Sequence, residues 1–338
     1  MSIEKRAELF KAIEADRKSK VILYATGNRQ NMEAQIANDA FDYFVHHLDR
    51  IWPEETKKIS LILHTAGGDS AAAWRIINLL RIFCDDLEVL VPNRAHSAGT
   101  LISLGCDRIV LTKQATLGPI DPSLSGPLSP AVPDNPNQRV PVSVEAVQGY
   151  IDLAKQELGI EDGQALSEVL VKLTEQVHPL VLGQIFRSRN QIRGLAEGLL
   201  EHQGVKEKDK VNIVDFLCSD SGSHDRTINR REAAKLGLNV EKPSADLYEL
   251  MNDLYEDIAE DMQLRSKFDV MQELAGKPNT NFECQRVLIE SVSGGSTQQL
   301  TKGTIRLIQN QQQTAPNTPP MTVISTEVAV SFDGWEQK

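Results

Sequence analysis

A serine acts as a nucleophile when its hydroxyl projects into a cleft, amide donors hold the developing oxyanion, and a base lies within hydrogen-bond reach. The first two requirements are written locally in this chain. Ser97, in His96-Ser97-Ala98-Gly99-Thr100, falls between an expected strand end and an expected helix of small residues, and Ala98 and Gly99 leave the backbone open beside it. Gly67 and Gly68, in Thr65-Ala66-Gly67-Gly68-Asp69, follow a neighbouring strand. Glycine suits a place where backbone must approach a substrate carbonyl with no Cβ in the way. Ser97 is therefore the candidate nucleophile, and Gly67, Gly68 and Ala98 are the candidate oxyanion donors.

These residues need a scaffold that brings two turns to one edge. Short apolar runs alternate with amphipathic stretches over about the first two hundred residues, the pattern of crossover units that stack parallel strands between helices. Strands are expected at Val21 to Ala25, Ile59 to Leu63, Leu87 to Val91 and Asp107 to Thr112. Helical spacing joins Met32, Ile36, Phe41, Phe44, Val45 and Leu48, and again Trp74, Ile77, Leu80 and Phe83, with Asp69 or Ser70 as cap. In a parallel sheet both the Gly67-Gly68 turn and Ser97 lie at the carboxyl edge.

Further along, residues 123 to 143 hold five prolines and read as a long surface loop. Helical periodicity resumes from Val144 to Leu158 and from Leu166 to about His202, the latter carrying Arg187, Arg189 and Arg193. Val211 to Cys218 reads as a strand. Asn229 starts a short helix, Ala245 to Leu264 forms an acidic amphipathic helix, and β-like runs follow Pro278 at Arg286 to Ser291, Gly303 to Ile308 and Met321 to Val330.

Composition narrows the classes. The 338 residues are 41% hydrophobic and 25% charged, as in an ordinary globular protein rather than a disordered or fibrous one. A net charge of -11 supplies no general footprint for nucleic acid. No window approaches the roughly 18 consecutive apolar residues of a membrane span, so no anchor and a cytoplasmic location are expected. Cys84, Cys106, Cys218 and Cys284 are too widely spaced for a CxxC site, and neither a GxxxxGK[ST] loop nor a GxGxxG turn is present. No metal or cofactor is expected.

The runs HTAGGD, AHSAGT, DRIVLTKQATLGPIDP and HDRTINRREAAKLGL, in that order over about residues 20 to 240, resemble the Clp/crotonase superfamily. The similarity is greatest to the serine dehydrogenase proteinase (SDH) family, related to signal peptide peptidase A and the Clp proteolytic subunit. The resemblance implies an α/β fold, a Clp/crotonase-like ββα superhelix of crossover units with a small β-rich C-terminal appendage. It places the nucleophile on Ser97 and the oxyanion turn at Gly67 and Gly68.

The same resemblance leaves the base open. The Clp acid aligns with Asp225, and the residue before it, His224, offers an imidazole. The segment 117 to 122 holds Asp121 but no histidine where Clp subunits carry one. Signal peptide peptidases instead use a lysine from a later helix, a place matched by Lys155, which would need desolvation to act near neutral pH. His96 reads as cleft lining or strand packing, and His64, His46, His47, His178 and His202 as structural.

The expected domains are a peptidase core at 1–240, a packing or assembly helix at 241–275 and the β-rich appendage at 276–338. The expected activity is hydrolysis of peptide bonds through an acyl-enzyme, with a peptide or protein substrate, a homo-oligomeric assembly, and the C-terminal piece as a docking surface for a protein partner. Two rival readings keep the fold: a crotonase-type acyl-CoA enzyme, and an inactive peptide-binding scaffold.

Overall fold

A computed structural model describes residues 3–51, 57–120, 123–124, 126–132, 135–218, 226–312 and 321–337. Helix α1 (Ile3–Arg17) leads into strand β1 (Lys20–Thr26), α2 (Phe41–Ile51) into β2 (Lys58–His64), and α3 (Ser70–Phe83) into β3 (Asp86–Val91). A two-residue strand β4 (Arg94–Ala95) precedes α4 (Ala98–Leu104), which returns the chain to β5 (Arg108–Leu111) and β6 (Thr116–Leu117).

Among the described residues the main sheet has eight strands. Val240–Glu241, β5, β3, β2 and β1 lie side by side in that order and run parallel. The strands Asn279–Ser291, Gly295–Gln312 and Met321–Gln337 then continue the same sheet antiparallel from β1. The expected α/β architecture of parallel crossovers is what the first half builds, and the C-terminal strands extend that sheet.

Parallel strands covered on both faces read as apolar runs, and the pleat sends alternate residues to opposite sides. Ile22, Tyr24, Leu61 and Leu63 enter the larger core with Phe44, Ile76, Ile77 and Leu101 from α2, α3 and α4. Val21, Leu23, Ala25 and Ile62 enter the second core with Phe10 and Ile13 of α1 and Met251, Leu254 and Ile258 of the helix Ala245–Asp261. Arg6 is buried in α1 and bonds Asp257 at 2.6 Å and Glu290 at 2.9 Å, tying that helix, α1 and the strand Asn279–Ser291 together. Removing one member of such a set costs about 3–5 kcal/mol, because the others stay buried and uncompensated.

Three sequence expectations change. The helix expected through Met32 and Ile36 begins only at Phe41, after a 3-10 turn at Asn38–Ala40, and Ile36 lies in the connection before it, bridged to Gly68. The run expected as a strand at Val211 to Cys218 is a helix, Glu207–Cys218. Its buried residues Ile213, Val214 and Leu217 recur at helical rather than alternating spacing. The proline-rich loop contains short paired strands, Ser123–Leu124 with Val142–Ser143 and Ala131–Val132 with Asn135–Arg139. The helix after Asn229 is present at Arg230–Leu236, closed by a capping box between Asn229 and Glu232.

Candidate active site

The carboxyl ends of β2 and β3 turn toward each other. An isolated parallel bridge joins Thr65 to Ala95, in which Thr65 N–H donates to Arg94 O at 3.1 Å and His96 N–H to Thr65 O at 3.2 Å. That bridge sets the turn of Gly67 and Gly68 against the turn of Ser97. A Cβ built on Gly67 would lie 2.8 Å from Ser97 Cβ and 3.4 Å from its Oγ. Contact this close admits only glycine, and Gly67 also holds φ +120°, a conformation side chains rarely adopt.

Gly68 is fixed from its other side. Ile36 N–H donates to Gly67 O at 2.8 Å and Asp69 N–H donates to Ile36 O at 2.8 Å, so the backbone of Ile36 brackets Gly68. A Cβ on Gly68, at φ +149°, would fall 2.3 Å from Ile36 O. In this bridge pattern the N–H of Gly68 itself points away from Ile36. Asp69 accepts from Ala71 N–H at 2.7 Å and Ala72 N–H at 3.3 Å, capping α3 immediately after the turn.

The three amides expected as donors are not equivalent. Gly67 N–H donates to Thr65 Oγ1 at 3.0 Å and is spent within the turn. Gly68 N–H and Ala98 N–H donate to no other described residue. Ala98 opens α4, so it has no earlier turn of its own helix to bond. Ser97 stands at the N-cap position, yet its hydroxyl makes no capping bond; it is half-buried, at φ 50° and ψ −114°. A non-glycine residue held there is strained by about 1–3 kcal/mol and persists because its surroundings over-determine it.

Thr65 and Thr100 supply much of that constraint. Thr65 Oγ1 lies 2.7 Å from Thr26 Oγ1 at the end of β1. Thr100 Oγ1 lies 2.9 Å from Ala95 O and 2.8 Å from Gly118 O, which share its single proton, and it accepts from Gly118 N–H at 3.1 Å. A Cβ on Gly99 would sit 2.4 Å from Thr65 Cγ2, so α4 approaches β2 only because residue 99 lacks a side chain. Sequence reading gave neither threonine a role. Their positions inside TAGGD and HSAGT are the one signal that marked them.

The segment after β5 forms the neighbouring wall. β6 pairs with β4 in parallel, Thr116 with Arg94 and Leu117 with Ala95, and on its other side with Ile228–Asn229. Ile120 N–H donates to Leu217 O at 2.8 Å, which anchors the end of the helix Glu207–Cys218 to the same wall. His96 Nε2 lies 2.9 Å from Thr116 Oγ1, across β4 and β6.

Of the expected bases, His224 and Asp225 lie outside the described residues, as does Asp121. Lys155 lies on a π-helical turn, Leu153–Glu157, and is exposed. His64 points to the sheet face opposite α4, with its ring 5.3 Å from that of Tyr255. Burial, reinforced by Arg94 and His96, holds its imidazole down to about 3. Its Nε2 is 3.4 Å from Asn28 Oδ1 and its Nδ1 has no partner among the described residues. His47 is likewise neutral, pushed down to about 4 by burial first and then by His46 and Arg50, between Ser291 Oγ at 2.8 Å and Thr297 Oγ1 at 3.2 Å.

Residues 1–157 match the family model of the ClpP-like SDH-type serine proteinases, which bears out the resemblance read from the sequence over that stretch. Two uncharacterized proteins of Methanocaldococcus jannaschii are similar, one 29% identical over 196 residues and the other 39% identical over 75. These alignments cover 58% and 22% of this chain, and the chain spans 58% and 25% of those two relatives. Among solved structures, a variant of the 1510-N membrane-bound stomatin-specific protease in complex with a substrate peptide aligns at TM-score 0.40 and 17% identity, covering 63% of this chain and 73% of its own. ClpP1 from Listeria monocytogenes aligns at TM-score 0.38 and 11% identity, covering 70% and 99%.

Proposed function

We propose, taking residues 1–157 as a ClpP-like SDH-type serine proteinase core, that this protein hydrolyses peptide bonds through an acyl-enzyme on Ser97. The observation that carries the reading is the meeting of the two crossover turns, with Gly67 closed against Ser97 so tightly that a methyl group would not fit between them. Ser97 Oγ, free of the capping bond its position invites, attacks the scissile carbonyl. The N–H groups of Gly68 and Ala98 receive the oxyanion. Gly67 serves by shape and conformation, since its own N–H is engaged by Thr65. Each such donor is worth about 100- to 1,000-fold in rate.

His224, oriented by Asp225, takes the proton from Ser97 and returns it to the leaving amine, and water then releases the acyl group. The pairing of Ile228 with Leu117, and of Leu117 with Ala95, supports this choice, because it ties the chain that follows residue 225 to the wall beside the strand entering Ser97. Lys155 is exposed, and an exposed ammonium lacks the desolvation a lysine base requires. Trapping the acyl-enzyme with an active ester, read by intact mass, tests the assignment. The parent and Lys155→Ala are expected to acylate, and Ser97→Ala and His224→Ala to fail. Acylation retained in His224→Ala and lost in Lys155→Ala would transfer the base to the lysine, and acylation in Ser97→Ala would remove the nucleophile.

A further inference from the structure

The last strand of the sheet is built to be paired and, among the described residues, has one neighbour. Met321–Gln337 is the outermost strand, bonded on one side to Gly295–Gln312. From Ile324 to Ser331 every residue is exposed, so the strand is open on both faces as well as along its edge. Ile324, Val328 and Val330 are 62%, 42% and 55% exposed. An unpaired edge presents a row of backbone donors and acceptors, and protein chains ordinarily blunt it with lysine, proline or an early bulge. Met321 to Val330 contains none of these: it carries a single charge, Glu327, and its register with Gly303 to Gln312 is regular throughout.

The apolar side of this strand is also the unfinished margin of a core. Val328 sits opposite Ile305, which is fully buried with Phe268, Leu274 and Phe282, and Val330 sits opposite Gly303. The packing that covers Ile305 stops before it reaches Val328.

We propose that a second copy of this chain occupies this edge, with the two Met321–Val330 segments pairing antiparallel about a two-fold axis at Thr326. The charge pattern selects both the partner and the register. Each copy carries a net charge of -11, so association needs a surface where carboxylates do not meet. Pairing about Thr326 sets Glu327 of one copy opposite Ser325 of the other, and Ile324 opposite Val328, twice over. The opposed β-branched residues pack against each other across the seam, whereas centring one residue later would oppose Glu327 to itself, a like-charge pair. A ten-residue strand is about 34 Å long, enough for a ladder over this segment, and the result is one sheet that continues from one copy into the other along it.

The test is sedimentation of the full-length protein at about 50 µM, with two variants. The parent is expected to sediment as two copies or a multiple of two. Thr326→Cys is expected to cross-link to itself on mild oxidation, doubling the mass on a non-reducing gel, because the axis residue faces its own copy; Cys84, Cys106, Cys218 and Cys284 are buried and do not compete. Val328→Lys is expected to halve the mass of the assembly with an unchanged far-UV circular dichroism spectrum. A monomeric parent, an assembly whose Thr326→Cys variant does not cross-link, or an assembly untouched by Val328→Lys would overturn the proposal.

Discussion

Two ends of one sheet are held by different means. At the carboxyl edge of β2 and β3, position is enforced atom by atom: Gly67 against Ser97, Gly68 against Ile36, and Gly99 against Thr65 leave no room for a single added carbon. At the outer strand Met321–Gln337, the side chains from Ile324 to Ser331 are exposed on both faces, and the atoms nearest a Cβ on Gly334 would be those of the Phe332 ring, at 3.3 Å. The first end has the fixed geometry that the proposed oxyanion stabilisation requires. The second has unused pairing capacity, the raw material of an interface.

One substitution placed at each end breaks or sharpens that contrast. Gly68→Ala drives a methyl group into the backbone of Ile36 at a φ of +149°, and is expected to lower kcat/KM by at least about 100-fold through displacement of the amide. It should also lower Tm, read by thermal denaturation. Gly334→Ala should change stability by no more than about 0.5 kcal/mol, because a ring edge yields where backbone does not. Equal effects at the two positions would erase the distinction.

Thr100→Val comes next in size. It keeps the shape but leaves Ala95 O, Gly118 O and Gly118 N–H without their shared hydroxyl, a loss of about 1–3 kcal/mol in chemical denaturation. Since those groups hold Ser97 to the wall, kcat should fall more than KM changes.

A further effect separates the ends by pH. His47 bridges α2 to Ser291 and Thr297 in the antiparallel part of the sheet and is held neutral down to about 4. Its folded pKa lies below the ordinary value near 6.5, so below that pH the unfolded chain binds the extra proton. Stability is lost as pH falls from about 6.5 toward 4, by up to about 1.4 kcal/mol per pH unit for this group. His47→Gln should flatten the slope of unfolding free energy against pH over that window by close to one proton, and an unchanged slope would show that the imidazole is not buried as described.

What the sequence revealed follows from where local pattern and tertiary contact agree. Ser97, Gly67 and Gly68 were legible because the need for glycine and the strand-turn-helix order are both local. The division of labour among the amides was not, because it depends on the side chain of Thr65 turning back onto Gly67. Helix α1 gave no apolar stripe to read, since its buried face runs through Arg6, Phe10 and Ile13 and a charged residue opens it. The helix Glu207–Cys218 reads as a strand in the sequence because Val211 to Cys218 is rich in apolar and branched residues, a run too short for periodicity to decide. The C-terminal strands read as β in the sequence, but their continuity with β1 rests on pairing such as Ile22 with Ser291, 269 positions apart (291 − 22), which no local signal encodes.

The proposed chemistry requires the hydroxyl of Ser97 to be presented to a reactive electrophilic centre beside open amides. Treatment with a fluorophosphonate, followed by peptide mapping, measures that directly. One adduct per chain, on Ser97 and absent from Ser97→Ala, is the predicted result. A folded protein that takes no adduct, or takes it on another residue, would contradict it.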